Sequence, residues 1–501
     1  MKNLKLLVGL FVGAGVYRFL MWGENLGLNA FIFAVLLVAA LFSYKMELRR
    51  NKLLWWLAGG FIVSAAGVAI TGIVFSAVVY YTMLIVFLAF VQMPALRSAW
   101  YALLLLPYNS AIAVWLDLKL LGDACEELFH KRAKQPKRRF LKLWQIFAIG
   151  GIALLFVGIF SIANPQFARF VNVAWNGFCD LLRWLIPNLS FWSVVHFLFV
   201  LYFLSLFFLR FNNNMVSRED MQMNDNLQRV RQKQYRRFLW VGLKSEYYAA
   251  FVGIVVFSLL LLTLNIFDII SVWAGITPDS AAELSQFVHR GTYALIVSVI
   301  LSGGILLFYF RKNLNFYPDN RWFKAVAYSW IGQNIFLLCS TGLRNWHYIT
   351  ECGLTYKRIG VFIFLLMVCV SMVLLVVKIR NKKSHYHFFR MSVFLNLGLL
   401  ALCAVINWDV VIASYNTSCI STETDYNYLK HLSYQAAPYA LQESADETDN
   451  TLYRERVEKY VERVKARSWK SFNLGDCLAA RKLQNYPIKT TYTDIPTFQQ
   501  Q

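Results

Sequence analysis

Residues 344–358 read RNWHYITECGLTYKR, with long apolar runs on both sides. Two Arg, a Lys, a Glu, a His and two Tyr crowd into one short connection. Gly353 is placed to end one helix and Thr355 to N-cap the next, so Gly353-Leu354-Thr355 reads as a tight helix–helix turn. Upstream, Ser340, Arg344, His347, Tyr348, Glu351 and Thr355 fall near one helical stripe. The stretch is therefore two helix ends brought together, with their charges gathered on one side of whatever they cross.

The flanking runs say what that is. The chain has 501 residues, 58% of them hydrophobic and 16% charged, with a mean hydropathy of +0.46. Soluble domains carry about a quarter charged residues. Spans of about 20 apolar residues recur along the chain, as a bilayer core requires, and without backbone partners in lipid they must be helices. The alternation of a membrane barrel is missing. The sequence thus predicts an all-α, polytopic helical membrane protein. Its net charge of +22 would suggest nucleic acid in a soluble chain. Here the basic residues sit in short loops between apolar runs, the pattern of the positive-inside rule, so no nucleic-acid partner is expected.

Reading from the N-terminus, MKNLK precedes an apolar run that Arg18 interrupts and no A-x-A site follows, so it reads as an uncleaved first span. Further spans are predicted at 27–44, two within 53–91, and at 144–162, 192–209, 248–272, 288–310, 324–352, 355–377 and 388–408. Pro107 splits WYALLLLPYNSAIAVWL (100–116). A full crossing there would put the basic KRAKQPKRR (131–139) outside, so charge bias favours a re-entrant or interfacial pair of half-helices. FARFVNVAWNGFCDLLRWL (167–185) has Phe167, Phe170, Val171, Ala174, Trp175 and Phe178 on one face and Arg169, Asn172 and Asp180 opposite, an interfacial amphipathic helix. The count is about eleven transmembrane helices, the N-terminus cytoplasmic.

Residues 409–501 differ. Their 11 basic and 12 acidic residues leave a net charge near −1, while the rest carries about +23. That supports a small extracytoplasmic helical tail, with Leu452, Val457, Tyr460, Val461 and Val464 on one helical face. The chain divides into N-terminal membrane helices (1–117), a basic cytoplasmic loop (118–143), membrane helices with the interfacial helix and a second cytoplasmic loop rich in RVRQKQYRR (144–246), a membrane core (247–408) and the tail (409–501).

Parity groups the polar helix ends whatever the absolute orientation. Asn265, Asp268, His289, Arg290, Tyr293, Arg344, Tyr348, Glu351, Thr355, Arg358, Asn407 and Asp409 share one side. Two readings stay open. In one, Arg344, Arg358 or Arg290 pairs with Glu351, Asp268 or Asp409 and locks helix ends. In the other, surplus Arg and Tyr donors form a pocket for an anionic lipid, phosphate or carboxylate. His289 and His347 lack a third ligand at usable spacing, so neither metal nor cofactor is expected. Gln333 and Asn334 sit deeper as interhelical hydrogen-bond partners, and Cys419 and Cys477 are placed to pair within the tail. GxxxxGK[ST], GxSxG and HExxH are absent.

VHRGTYAL from Val288, RNWHYITECGLTYKR, NWDVVIASYN from Asn407, DYNYLKHLS from Asp425, Ala437-Pro438 and WKSFNL from Trp469 together resemble a bacterial integral-membrane family. It is a domain of unknown function of DUF4153/4173 type. The family string falls on Arg344, Tyr348, Gly353, Leu354, Thr355 and Arg358, and the resemblance covers about 247–483. Where members often carry a second aromatic before Gly-Leu-Thr, this chain has Glu351-Cys352. The resemblance implies an inner-membrane location and brings no activity. A non-enzymatic role in transport or in binding an envelope lipid or anionic ligand leads. A membrane enzyme on lipid-linked headgroups, with Glu351 or His289 as base and Arg344 and Arg358 as clamps, and a signalling or scaffold subunit are the alternatives.

Overall fold

The computed structural model describes residues 2–128, 136–185, 191–209, 211, 214–229, 243–273, 281–311, 313–318, 320–419, 425–441 and 447–484. Among these residues helices dominate and no strand forms. The first group is α1 (Lys2–Met21), α2 (Leu28–Tyr44), α3 (Lys52–Thr71), α4 (Val74–Gln92), α5 (Ala99–Leu128), α6 (Pro136–Ala163), α7 (Pro165–Leu185), α8 (Phe191–Phe208) and the short α9 (Asn214–Gln222). The second is α10 (Leu243–Asp268), continued by a π-turn at Ile269–Trp273, then α11 (Ala281–Tyr309), α12 (Arg321–Cys352), α13 (Tyr356–Arg380) and α14 (His385–Cys403). The tail holds α15 (Trp408–Ser418), α16 (Tyr426–Lys430), α17 (Ala437–Ala440), α18 (Glu447–Lys465) and α19 (Leu474–Gln484).

Among the described residues seven helices are long and apolar enough to cross a membrane, and four shorter helices are apolar too. The chain is an integral membrane protein. Its membrane part has two cores. One joins α1–α5 with α8 around Phe61, Phe87, Phe90 and Phe207; the other joins α10–α13 around Phe310, Phe323, Trp330 and Leu375. α14 lends Phe394 and Ala404 to the first core and Phe388 to the second, so it is the wall the two halves share.

Side-chain bonds fix which helix ends lie together. On one face, Lys45 Nζ donates to the Phe207 and Leu209 carbonyls at 2.8 and 2.9 Å. Lys378 does the same for the Phe310 carbonyl at 2.9 Å. A buried ammonium here supplies the donor that the last turn of a helix lacks. On the same face Asp220 accepts from the Arg97 amide and the Tyr386 hydroxyl, and Asp225 pairs with Arg97 and Arg390. This clip ties the α4–α5 connection to the start of α14. Of the stretches predicted as basic loops at 131–139 and 229–237, residues 131–135 and 230–237 lie outside the described residues.

α5 corrects one expectation. Pro107 does not break it, and Ala99–Leu128 is one helix of 30 residues. A single proline costs one i→i−4 bond, and neighbours brace the helix beside it. Asn109 donates to Gln92 Oε1 at 3.2 Å and Tyr202 to the Ser110 carbonyl at 2.7 Å. Despite its length, α5 returns to the face it leaves. Its start adjoins Arg97, whose amide meets Asp220, and its end meets Asn3 and Leu4 of α1 through Glu127 at 3.3 and 2.9 Å. Trp100, Leu104, Tyr108 and Trp115 form its exposed stripe, and by length and composition it is also one of the helices able to cross a membrane. α7 likewise leaves Phe170, Val173 and Trp175 exposed.

The opposite face carries the α3–α4 turn, the α12–α13 turn and the tail. Gly67 lets α3 close on the end of α14, because a Cβ there would stand 2.6 Å from the Ala404 carbonyl. Gln435 is the tail's hub. Its amide donates to the Thr71 carbonyl at 2.7 Å, Asp476 at 2.6 Å and Asn473 at 3.3 Å, while its Oε1 accepts from Asn407 at 2.5 Å. In α18 the buried stripe runs Tyr453, Val457, Tyr460 and Val461, and Leu452, expected on that face, is 57% exposed. The helical period starting from Val457 selects Tyr453 four residues back, while five residues back faces away.

Candidate functional site

The α12–α13 turn gathers much of the predicted cluster. Gly353 ends α12 at φ +82°, a region that favours glycine. Thr355 occupies the N-cap position of α13 in extended geometry, but its hydroxyl makes no capping bond. Tyr428 from the tail does that work instead, accepting from the Tyr356 amide at 3.2 Å. Asn416 of α15 clamps the turn from the side, with its Oδ1 taking the Leu354 N–H at 2.6 Å and its Nδ2 reaching the Leu354 carbonyl at 3.0 Å.

The two arginines of the turn have different jobs. Arg344 is buried in α12 and pairs with Asp268 of α10, itself only 2% exposed. Ser340 completes the triad by donating to the other carboxylate oxygen of Asp268 at 2.5 Å. Arg358 reaches back to the Cys352 carbonyl at 2.7 Å and to the Gly353 carbonyl, capping the end of α12. Its guanidinium stacks over the Tyr348 ring at 4.0 Å. Asp409 is buried and meets no arginine among its hydrogen bonds; the Tyr356 hydroxyl donates to it at 2.7 Å. Asn407 N-caps α15, taking the Val410 amide at 3.3 Å, and binds the Gln435 hub.

Tyr348, Thr355, Arg358 and Asp409 share the wall of one cavity of about 1030 Å³, bounded by the α3–α4 turn, the first turn of α13 and the tail. The structure places Asp268 and Arg344 apart from it, in the α10–α12 contact, and Asn407 behind it at the hub. Glu351 is exposed at the end of α12 and does not line the cavity. The side chains of His289, Arg290 and Tyr293, on α11, lie outside the described residues.

Four further contributors were not singled out from sequence. Tyr356 and Lys357 stand inside the opening stretch, and Tyr428 and His431 come from DYNYLKHLS in the tail. Lys357 is exposed, and no hydrogen bond, ion pair or ring contact engages it among the described residues. It stands in the first turn of a 25-residue helix, where the leading N–H groups lack intrahelical partners and the dipole favours negative charge. Burial raises the Tyr428 phenol above its ordinary value, which keeps it a donor. His431 donates Nδ1–H to the Asn427 carbonyl at 2.6 Å. The Ser433 hydroxyl, on the same wall, is buried and has no hydrogen-bond partner among the described residues.

No group of three metal-ligating side chains occurs among the described residues. Cys419 and Cys477 are both free thiols. What the cavity offers is a cationic and hydroxyl-rich rim with a single buried carboxylate.

The family model described as "Domain of unknown function (DUF4153)" matches residues 31–442. The chain belongs to this family. No curated protein matches it, and no solved structure does. The DUF4153 match takes in every residue of the cavity wall, from Gly72 to Ser433.

Proposed function

We propose that this DUF4153 protein is a non-catalytic membrane component whose cavity beside the α12–α13 turn binds an anionic ligand. The orientation follows from loop charge: the N-terminus and the Lys45 face are cytoplasmic, and the tail and cavity are extracytoplasmic. Eleven helices cross in this reading, α5 and α7 lying at the interface. Lys357 carries the proposal, as an exposed ammonium over a cavity of about 1030 Å³ whose neighbouring arginine is already occupied. A ligand phosphate or carboxylate would complete the charge balance there and meet the first-turn amides beyond the one that Tyr428 caps.

The binding chemistry needs no base. Glu351, the carboxylate that an enzyme acting on headgroups would use, stands off the cavity wall. Titration of the purified protein with inorganic phosphate, glycerol 3-phosphate and an anionic lipid tests the reading. At least one should bind, and Lys357→Ala should weaken it about tenfold, the worth of a charge-assisted hydrogen bond. Failure of all three, or binding indifferent to Lys357, would refute it.

A further inference from the structure

The geometry points to a membrane lipid with a phosphate headgroup as the occupant of this cavity, entering sideways from the bilayer. The inference rests on the anion reading above and adds the class of ligand. The cavity is far larger than one inorganic anion needs, since a water takes about 30 Å³ of liquid volume and this space measures about 1030 Å³. Its wall is also two-natured. Lys357, Arg358 and Ser433 stand on one part, whereas Ile73, Val74 and Phe75 at the head of α4 form another. A wholly polar solute would leave that apolar part wet, and an amphiphile covers it.

Two tracks lead from the cavity toward the membrane centre. On α4, Val74 is 81% exposed and begins a stripe through Val78, Tyr81 and Ile85, all exposed at helical spacing. On α13, Lys357, Gly360 and Phe364 share one exposed face. A Cβ built on Gly360 meets no atom within 4 Å, so the helix face one turn below the ammonium is open. A lipid phosphate beside Lys357, near the Ser433 hydroxyl, would let its chain run down this face past Gly360 and Phe364. The α4 stripe offers a second chain the same passage.

The test compares dioleoyl phosphatidylglycerol and dioleoyl phosphatidylcholine by native mass spectrometry of the full-length protein, with calorimetric titration of glycerol 3-phosphate alongside. The anionic lipid should be retained in preference to the zwitterionic one, and Lys357→Ala should cut its apparent affinity about tenfold. Gly360→Leu places a side chain in open space on a helix, so the fold should persist. It should weaken the lipid several-fold while leaving glycerol 3-phosphate unchanged. Phosphatidylglycerol held no better than phosphatidylcholine, or retained equally by Gly360→Leu, overturns the lipid assignment. If glycerol 3-phosphate then still binds in a Lys357-dependent way, the anion reading stands alone. If neither it nor inorganic phosphate nor the anionic lipid binds in that way, both fall.

Discussion

Replacing Asp268 with Ala leaves the Arg344 guanidinium buried in the α10–α12 contact without its counter-ion. Both side chains are nearly inaccessible, at 3% and 8%, so water cannot take over. Breaking such a pair from one side costs about 3–5 kcal/mol, because the remaining charge keeps its desolvation penalty. Arg344→Ala should cost about the same, and Ser340→Ala about 1.5–3 kcal/mol, for one hydrogen bond to a charged acceptor at 2.5 Å. The double variant Asp268→Leu with Arg344→Met removes both charges and keeps apolar volume, so it should recover most of the loss. Equilibrium unfolding in mixed micelles, followed by tryptophan fluorescence, yields all four free energies. A double variant as unstable as the two singles summed would show that the residues do not act as a pair. Single variants within about 0.5 kcal/mol of the parent would dismiss the lock altogether.

Further outcomes follow from the faces. Cysteines introduced at Ser98 and Lys119, before α5 and toward its end, should both react from the N-terminal side of the membrane; labelling from opposite sides would mean that α5 crosses. At the Arg97–Asp225–Arg390 clip, burial works against charge, yet Arg390, Arg97 and His387 hold the Asp225 carboxyl below its ordinary range. A folded-state value below the unfolded one makes this contribution full above about pH 4 and lost as pH falls through the folded value. Protection of 214–227 against hydrogen exchange, relative to the intrinsic rate at each pH, should therefore fall in acid, and Asp225→Asn should lower it already at pH 7; equal protection in both proteins at both pH values would count against the clip. Gly67→Ala should destabilise by about 1–3 kcal/mol through its clash with the Ala404 carbonyl. Gly59→Ala, in open space on the same helix, serves as the control and should show no loss in the same unfolding measurement.

Local signals carried most of the helical plan. Apolar length marked the spans, and α12, with its polar stripe, was legible because the stripe keeps helical spacing between Ser340 and Glu351. Parity alone grouped Asp268, Arg344 and Asp409; in the structure Asp268 meets Arg344, and Asp409 meets Tyr356 beside the α12–α13 turn. What parity does not supply is partner choice. Asp409 and Asp268 are equally acidic in sequence, yet one meets a tyrosine and the other an arginine, because that depends on how α15 and α10 are rotated. Thr355 read as its own cap, and the tail's Tyr428 took the amide from 72 residues away. Lys357 looked like one more basic residue until Arg358 proved to be engaged. The cavity itself was illegible: Val74 and Lys357 stand 283 positions apart in the sequence, and no local pattern relates them.

The hub at Gln435 bears on how the molecule is made. Its amide bonds the Thr71 carbonyl 364 residues back, and Asn473 bonds the Val68 carbonyl across 405. Chains emerge and insert from the N-terminus onward. The α3–α4 hairpin must therefore wait in the bilayer through the synthesis of everything between, its Val68 carbonyl held by the Gly72 amide and its Thr71 carbonyl still without the Gln435 donor. Only when 435–473 has been made and docks on this face does that turn receive its side-chain donors. Docking of this distant segment thus completes the α3–α4 turn: a chain stalled before it keeps its hairpin yet leaves the Thr71 carbonyl without the Gln435 donor.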